Sequence, residues 1–389
     1  LVDEFQDCDS MQVEILKLLN EENSIFAVGD EDQCIYGFRG SNPECMVKFS
    51  QHFEGGGKLQ LSTNYRCPKN IVEISMNTIK NNQMRNEKNI VAFKEQDGGI
   101  TVLNNVNENA QADEISSIIQ KHILVPDKSY SDNAILYRTN VECRSLIDVF
   151  IKKRIPFMLL DKEYDFFQHF ICKDIIAYLK LSIDLSDKES FLRIINKPFR
   201  YVSRLNLDKI KRNIVREDCF EMLKEIDGIP IFQMKMIDKL KKDIHYLNKI
   251  SLASAIDNLV LSIGYHDYIK EYCTKFKIDL GEMEDIIDEF RQSAEGYNNI
   301  IAFLGHVEQV KEEIGKHKKN VEEDAVILST IHGVKGMEFK NVFIINCNEE
   351  NIPHVNSIEN NLEEERRLFY VGITRAIDNV WLCISKSVK

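Results

Sequence analysis

The stretch VDEFQDCD, residues Val2 to Asp9, places two adjacent carboxylates, Asp3 and Glu4, after an apolar beginning. We predict a short buried strand that delivers both carboxylates at its C-terminal end. Apolar residues then recur at helical spacing, and SIFAVGD, residues 24–30, reads as a second buried strand. Strand, helix and strand in this order favour a parallel sheet, so the predicted fold class is α/β.

The same alternation continues along the chain and is interrupted once. NAILYR, DAVILST, KNVFIIN and NVWLCIS are predicted strands, and amphipathic helices lie among them, one of which begins at Lys69. From about residue 170 to residue 319 the pattern changes to long helical stretches with few strand-like runs. We therefore predict a mostly helical insertion in the parallel sheet.

Length and composition limit the number of domains and the class of protein. With 389 residues, of which 43% are hydrophobic, the chain is long enough for two or three domains, and neither a membrane helix nor a signal peptide is apparent. We expect a cytoplasmic protein without membrane contact. Ten cysteines without any C-x-x-C pair favour reduced thiols over zinc or disulfides.

The charge of the chain is unevenly distributed. The formal net charge of −12 argues weakly against a protein that coats nucleic acid. Residues 193–216, however, carry eight basic residues against one acid. That stretch is either a phosphate-binding surface or a solvated helix face.

Several short stretches carry candidate chemistry. Asp3 could hold Mg²⁺ while Glu4 polarises an attacking water, although such a pair can also be a plain strand end. In VGDEDQCIYGFRG, residues 28–40, the amide of Gln33 could sense a phosphate. The nearby aromatic residues and arginine, Tyr36, Phe38 and Arg39, suit stacking on unpaired bases or, alternatively, filling and covering a core.

Two arginines and one loop complete the candidates. Arg66 in NYRCP and Arg375 in GITRA could each stabilise a transferring phosphate or form a surface ion pair. STIHGVKGMEF, residues 329–339, could hold a DNA phosphate or carry signals between two sites through Thr330 and His332, although a lone histidine can also be structural.

Together and in this order, these stretches resemble a known family. VDEFQD, VGDEDQCIYGFRG, LSTNYRCP, STIHGVKGMEF and EEERRLFYVGITRA resemble motifs II through VI of the UvrD/Rep family of superfamily 1 DNA helicases. The resemblance implies a RecA-like parallel-sheet motor domain with a mostly helical inserted domain, plus a remnant of a first RecA-like domain. The implied segments are 1–66 for the remnant, 67–169 and 321–389 for the second RecA-like domain, and 170–320 for the inserted domain.

The resemblance also implies a role for each matching residue. Asp3 and Glu4 would bind Mg²⁺ and activate water, Gln33 would contact the γ-phosphate, and Arg66 and Arg375 would contact phosphates. Tyr65 would stack on adenine and Glu338 would meet the ribose. The residues implied to lie along DNA are Tyr36, Phe38, Arg39, Thr330 and His332. ATP and Mg²⁺ would be the cofactors, and single-stranded DNA with its junctions to duplex would be the substrate of 3′ to 5′ movement.

This sequence departs from the family pattern at two places. Phe38 stands where the family commonly has tryptophan. FRYVSR, residues 199–204, stands where the family tends to have an R-G-I-G turn, and without glycine a close backbone approach to duplex phosphate is harder. Arg200 and Arg204 could substitute for that contact through their charge.

A phosphate-binding loop, G-x-x-x-x-G-K-[ST], is absent from the 389 residues. We therefore expect the chain to be the C-terminal portion of an ATP-dependent DNA helicase, beginning at motif II and inactive without the N-terminal half of the same protein. The alternative is a non-hydrolytic module that binds single-stranded DNA or a DNA-repair partner.

Overall fold

The computed structural model describes residues 1–21, 23–160, 166–317, 324–349, 351–359 and 361–386. The chain divides into two compact units, one formed by residues 1–164 with 317–389 and the other by residues 165–316. The predicted α/β class with a helical insertion is confirmed. The predicted boundary at residues 320 and 321 lies outside the described residues, and the finer division into four segments stays a prediction.

The strands of the first unit form a two-stranded and a six-stranded sheet, in which every described pairing is parallel. The order in the larger sheet is β3-β8-β7-β4-β6-β5, and β1 pairs with β2. The strands are β1 Thr63–Pro68, β2 Val91–Lys94, β3 Gly99–Asn105, β4 Asn133–Tyr137, β5 Phe157–Leu159, β6 Val326–Thr330, β7 Phe339–Ile344 and β8 Ala376–Ser385.

Helices connect these strands, as parallel pairing requires. Those of the first unit are α1 Ser10–Asn20, α2 Pro43–Val47, α3 Phe49–His52, α4 Lys69–Ile79, α5 Glu108–His122, α6 Arg144–Lys153, α16 Val355–Ile358 and α17 Leu362–Ile373, and α7 to α15 belong to the second unit. Strand β4 is buried along its whole length because β6 and β7 flank it. Its continuous apolar sequence therefore reflects a central position in the sheet.

The prediction of two strands at the beginning of the chain is wrong. Val2 and Ala27 form only an isolated parallel bridge, and Glu4 has a left-handed φ of 51° at the start of a 3-10 turn. A strand needs a ladder of hydrogen-bonded neighbours, whereas the described backbone bonds between these two segments are three: Val2 N to Phe26 O, Val28 N to Val2 O and Phe5 N to Val28 O. A small apolar cluster centred on Phe5 packs beneath this region.

The second unit is built from helices. They are α7 Phe170–Ile183, α8 Lys188–Ile194, α9 Arg204–Arg212, α10 Cys219–Lys224, α11 Ile231–Leu247, α12 Leu252–Asp257, α13 Tyr265–Phe276, α14 Leu280–Ala294 and α15 Ile300–His317. Helix α7 is the most buried because helices α8, α11 and α14 pack around it. Its fully buried Asp174 is satisfied by Lys197 and the Tyr265 hydroxyl, each at 2.8 Å.

Candidate functional site

The two adjacent carboxylates of the opening stretch lie on a loop that is tied to the loop containing Gln33. Gln6 Nε2 donates to Glu4 Oε2 at 2.5 Å, and Gln6 Oε1 accepts from the backbone N–H of Asp30 at 2.9 Å. Gly29 permits this approach, since a Cβ there would lie 2.3 Å from Gln6 Oε1. A single glutamine thus sets the position of Glu4 relative to the residue 30–33 loop.

A buried lysine lies beside the same carboxylates. Lys335 Nζ is 2.5 Å from Asp7 Oδ2 and 3.5 Å from Glu4 Oε2, and its side chain is 7% exposed. Burial raises the pKa of Asp7, although the hydrogen bond and charge of Lys335 act in the opposite direction. The other Asp7 oxygen, Oδ1, is buried without a hydrogen-bond partner.

Three consecutive acids hold the loop that carries Gln33. Arg85 binds both carboxylate oxygens of Asp32, at 3.0 and 2.8 Å, and Lys88 Nζ contacts Glu31 at 3.0 Å and also pairs with Asp30. Burial alone would lower the pKa of Lys88, yet the three carboxylates raise it well above its usual range. The charges are therefore strongly coupled, and they anchor this loop to residues 85–88.

Gln33 links this acidic loop to Arg375. Its Nε2 donates to Asp30 Oδ2 at 2.8 Å, and its Oε1 accepts from Arg375 Nη2 at 3.5 Å. Burial raises the pKa of Asp30, but the charge and hydrogen bond of Lys88 outweigh it, and the pKa is lowered overall. Both ends of the Gln33 amide are thus oriented by charged groups.

Arg375 is 1% exposed, and its guanidinium has neutral hydrogen-bond partners. It donates to the carbonyl oxygens of Val371 at 3.0 Å and Met337 at 3.2 Å, to Thr374 Oγ1 at 3.2 Å and to Gln33. Burial, together with the nearby positive charge of Arg66, lowers the pKa of Arg375 to about 10. None of these hydrogen-bond partners is a carboxylate, so the buried charge is poorly compensated.

A pocket opens beside Arg66. It has a volume of about 380 Å³ and is lined by Asn64, Tyr65, Arg66 and Glu338. Arg66 Nε contacts Glu338 Oε2 at 2.6 Å, and Arg66 Nη1 donates to the Thr374 carbonyl at 3.3 Å. Tyr65 is 67% exposed, and its ring lies 5.0 Å from the Phe93 ring with an interplanar angle of 36°. The structure therefore brings three of the predicted site residues, Tyr65, Arg66 and Glu338, together in this pocket, and Thr374 links Arg66 to Arg375.

The predicted aromatic residues form a cluster at a 3-10 turn, Gly37–Arg39, where Phe38 is exposed and the preceding Tyr36 is half-buried against the apolar core. The Phe38 ring lies 6.0 Å from the Tyr36 ring and 5.8 Å from the His332 ring, and Phe38 is 69% exposed. The Arg39 guanidinium lies 5.4 Å from the centroid of the Phe38 ring. Glu364 packs against this turn: its Oε1 accepts from the Gly37 backbone N–H at 2.9 Å, and a Cβ at Gly37 would displace the Glu364 carboxylate.

The loop after β6 is attached to this cluster. The Tyr36 hydroxyl donates to the His332 carbonyl at 3.3 Å, and Thr330 Oγ1 accepts from the Gly333 backbone at 3.1 Å. Both predicted residues of this loop, Thr330 and His332, are half-buried. They therefore lie beside the aromatic rings rather than inside the core.

The two arginines predicted in the second unit differ in exposure. Arg200 is 7% exposed, and its Nη1 donates to the carbonyl oxygens of Ile195 at 3.1 Å and Pro198 at 2.9 Å. Arg204 is exposed at the first position of α9. Arg200 therefore supports its own turn from inside, and Arg204 is left as the basic residue of this pair that a ligand could reach.

Sequence reasoning did not single out Lys335, Lys88 or Arg85 as parts of this site. Lys335 lies within STIHGVKGMEF, so its position in that motif is the signal that could have indicated its place in the site. Lys88 and Arg85 lie in a polar segment without a distinguishing pattern. Their partners are more than 50 residues away along the chain, which sequence spacing cannot reveal.

Two family models match this chain. The model of the UvrD-like helicase C-terminal domain matches residues 59–387, and that of the UvrD/REP helicase N-terminal domain matches residues 1–54. The chain belongs to the UvrD-like helicase family. No described helix is long and apolar enough to cross a membrane.

Its relatives are bacterial helicases. The chain is 31% identical to ATP-dependent DNA helicase Rep of Buchnera aphidicola subsp. Schizaphis graminum over 97% of this chain and 60% of the relative. It is 30% identical to ATP-dependent DNA helicase PcrA of Staphylococcus epidermidis, covering 98% of this chain and 54% of that protein. It is 31% identical to DNA helicase II of Haemophilus influenzae, covering 100% of this chain and 55% of that protein. The chain thus spans little more than half the length of these relatives.

Proposed function

We propose that this chain contributes to an ATP-driven motor that moves 3′ to 5′ on single-stranded DNA, with ATP and Mg²⁺ as cofactors. The observation that carries the proposal is Arg375, a guanidinium that is 1% exposed and hydrogen-bonded to neutral groups. A buried charge is costly unless it is paired, so an anionic ligand would stabilise this arrangement. Arg66 adds a second positive charge close by.

Phosphate is the anion that best suits these two arginines. The amide of Gln33 contacts Arg375, so a phosphate held by the arginines would also lie near that amide. Guanidinium groups that contact a transferring phosphate stabilise its charge, and one such group can contribute about 10³–10⁵ in rate. We assign phosphate contact to Gln33, Arg66 and Arg375.

The carboxylates at the start of the chain fit a magnesium ion that is mostly coordinated by water and phosphate. The described residues contain no cluster of three or more metal-binding side chains. Mg²⁺ at phosphate sites, however, usually takes one or two carboxylates, and Asp3 and Glu4 can supply these. Bound Mg²⁺ would neutralise phosphate charge. Glu4, exposed by 57% at its side chain, is accessible to a water that it could orient and deprotonate.

The adjoining pocket suits the nucleoside part of ATP. The exposed Tyr65 ring offers a stacking face for adenine, and Glu338 could accept hydrogen bonds from ribose hydroxyls. Because Glu338 also pairs with Arg66, nucleotide binding at this pocket would be linked to the position of a phosphate-contacting arginine.

Single-stranded DNA is the proposed ligand of the aromatic cluster. Tyr36 and Phe38 provide ring faces, Arg39 provides charge, and the half-buried Thr330 and His332 lie beside them. Stacking of one base on an aromatic side chain is worth about 1–3 kcal/mol and tolerates any base. In the second unit, exposed Arg204 could contact phosphates of a duplex at a DNA junction.

We further propose that the chain does not turn over ATP by itself. The phosphate-binding loop motif is absent from its 389 residues, and the backbone amides and lysine of such a loop hold the phosphates in enzymes of this type. The test is ATP turnover with Mg²⁺ and oligo-dT, measured on this chain and on a fusion to the preceding residues of the PcrA relative.

We expect turnover from the fusion and none from the chain alone. Glu4→Gln should abolish turnover by the fusion, whereas Glu14→Gln, on the exposed face of α1, should not. A folded fusion that binds ATP but never hydrolyses it would refute the proposed motor function. DNA-dependent turnover by the chain alone that also requires Glu4 would instead refute the need for a phosphate-binding loop.

A second candidate function is a non-hydrolytic module that binds single-stranded DNA. The aromatic cluster supports it, because Tyr36, Phe38 and Arg39 are assembled within this chain. Oligo-dT binding by the chain, together with an inactive fusion, would favour this candidate over the motor.

A further inference from the structure

The second unit carries a group of exposed aromatic rings that the proposed motor function does not use. Phe199 and Tyr201 lie on the turn before α9, and Phe232 is the second residue of α11. These three residues, here called the second aromatic cluster, are 59%, 62% and 56% exposed. Large apolar side chains that are exposed together rather than singly indicate an interaction site.

The rings of the second aromatic cluster pack edge to face. The centroids of Phe199 and Tyr201 lie 4.7 Å apart at an interplanar angle of 68°, and those of Tyr201 and Phe232 lie 6.4 Å apart at 72°. In an edge-to-face pair, the edge of one ring covers one face of the other. The rings therefore leave most of their faces uncovered by one another, and a flat ligand can stack there.

The backbone that carries Tyr201 is fixed from both sides. Tyr201 has a φ of 60°, in the left-handed region that bulky residues rarely adopt. Asn196 Oδ1 accepts from the backbone N–H groups of Arg200 and Val202, at 3.2 and 3.1 Å, and the buried Gln233 donates to the Arg200 carbonyl at 3.0 Å. Such a conformation persists only where surrounding contacts hold it. The turn is therefore preorganised, which reduces the ordering cost of binding a ligand.

Helix α9 adds positive charge directly after this turn. Residues 193–216 contain eight basic residues and one acid. Four of the basic residues are exposed on α9, and none of the four forms an ion pair within the described part of the second unit; they are Arg204, Lys209, Lys211 and Arg212. Exposed rings are thus followed by exposed cations that are available to an anionic ligand.

We propose that the second aromatic cluster and α9 form a binding site for single-stranded nucleic acid, in addition to the site proposed at Phe38. Each nucleotide of a single strand provides a flat base and a phosphate, which match the rings and the cations. A duplex matches only the cations, because its bases are stacked on one another. An acidic peptide matches the rings only if its own sequence supplies apolar side chains. The site therefore selects unpaired bases.

The test measures binding of a short fluorescein-labelled oligo-dT to the whole chain by anisotropy, at one fixed salt concentration. Every protein carries Phe38→Ala, which removes one stacking face of the site proposed in the first unit. In this parent, Tyr201→Ala should weaken binding at least about fivefold, the lower end of the contribution of one stacked base. Tyr246→Ala removes another exposed ring, near the end of α11, and should leave the dissociation constant unchanged within about twofold.

Two further variants separate loss of the ring from a change in the turn. Tyr201→Gly also removes the ring, and glycine adopts the left-handed backbone without strain. We expect it to weaken binding as much as Tyr201→Ala does, whereas Tyr201→Phe, which retains a ring, should bind like the parent. If Tyr201→Gly binds like the parent, the effect of alanine arises from the backbone and the inference is wrong.

Two further oligonucleotides identify the ligand. An abasic strand retains the phosphates without bases, and a duplex of the same length retains paired bases. Tyr201→Ala should change the dissociation constant of either by less than about twofold. An equal loss of duplex binding would overturn the inference, because the turn would then contact the duplex backbone. An unchanged affinity of Tyr201→Ala for oligo-dT would also overturn it and leave the second aromatic cluster to a protein partner.

The outcome is independent of the proposed motor function. If the Phe38→Ala parent binds no oligo-dT, this inference is wrong, whereas ATP turnover by the fusion protein is unaffected by that result. Conversely, an inactive fusion would refute the motor function but would not change the expected effect of Tyr201→Ala on oligo-dT binding.

Discussion

Glu142 makes the stability of the first unit depend on pH near neutrality. Its carboxylate is 6% exposed and accepts from the Thr139 backbone at 2.8 Å and from Asn346 Nδ2 at 3.2 Å. Asn346 Nδ2 also donates to Glu108 at 3.2 Å, so two buried carboxylates share one amide. Burial raises the pKa of Glu142 from 4.5 to about 7, because desolvation outweighs these hydrogen bonds.

The sign and size of the effect follow from this pKa. A group whose pKa is raised by folding contributes no penalty below its unfolded pKa, and it destabilises the fold progressively as pH rises through its folded pKa. The shift of Glu142 from 4.5 to about 7 therefore lowers the free energy of unfolding by about 3 kcal/mol between pH 4.5 and pH 8. Glu142→Gln removes the ionisable carboxyl group and with it this pH-dependent loss of stability. The amide oxygen of the glutamine can still accept from Thr139.

We expect Glu142→Gln to unfold with nearly the wild-type free energy at pH 5 and to be about 3 kcal/mol more stable at pH 8. Urea unfolding followed by tryptophan fluorescence measures this directly, because the single tryptophan, Trp381, lies in β8 of the same unit. Glu73→Gln, at an exposed position of α4, is the matched control. Equal pH dependence in the wild type and Glu142→Gln would refute the reasoning.

Three further predictions concern other parts of the first unit. Lys88→Met should lower the free energy of unfolding by about 3–5 kcal/mol, because it leaves buried carboxylates without their partner, and urea unfolding measures this. Phe38→Ala should weaken oligo-dT binding by about 1–3 kcal/mol through loss of one stacking face, measured by anisotropy. The amide of Val28, which belongs to an isolated bridge, should exchange hydrogen much faster than the amides of β6, measured by mass spectrometry or NMR.

Matched variants control the first two of these predictions. Lys17→Met removes an exposed ion pair within α1 and should change the free energy of unfolding by less than about 1 kcal/mol. Phe26→Ala removes a ring that is 63% exposed elsewhere on the unit and should leave oligo-dT binding unchanged. An equal loss in either control would contradict the specific role of its counterpart. For Val28, protection equal to that of β6 would contradict the prediction.

Much of the fold can be predicted from the sequence, because the strands and helices of a parallel sheet have strong local patterns of apolar residues. The continuous apolar run of β4 and the helical spacing of Ile71 and Ile79 in α4 correspond to buried residues. The opening strand prediction was wrong because an apolar run indicates burial but does not supply a hydrogen-bonded neighbour. Val2 is joined to Ala27 by a single bridge.

The sequence by itself determined the family and the identity of the residues grouped in the site, since ordered motifs specify residue types and spacing. Only the tertiary structure decided which of these residues meet, because contacts such as Gln33 with Arg375 span 342 positions. It also decided that Arg200 is buried while Arg204 is exposed, four residues apart in one basic stretch. The physical reason is that burial and charge pairing depend on packing between distant segments, and Lys335 acquires its partners Asp7 and Tyr36 only when the chain is folded.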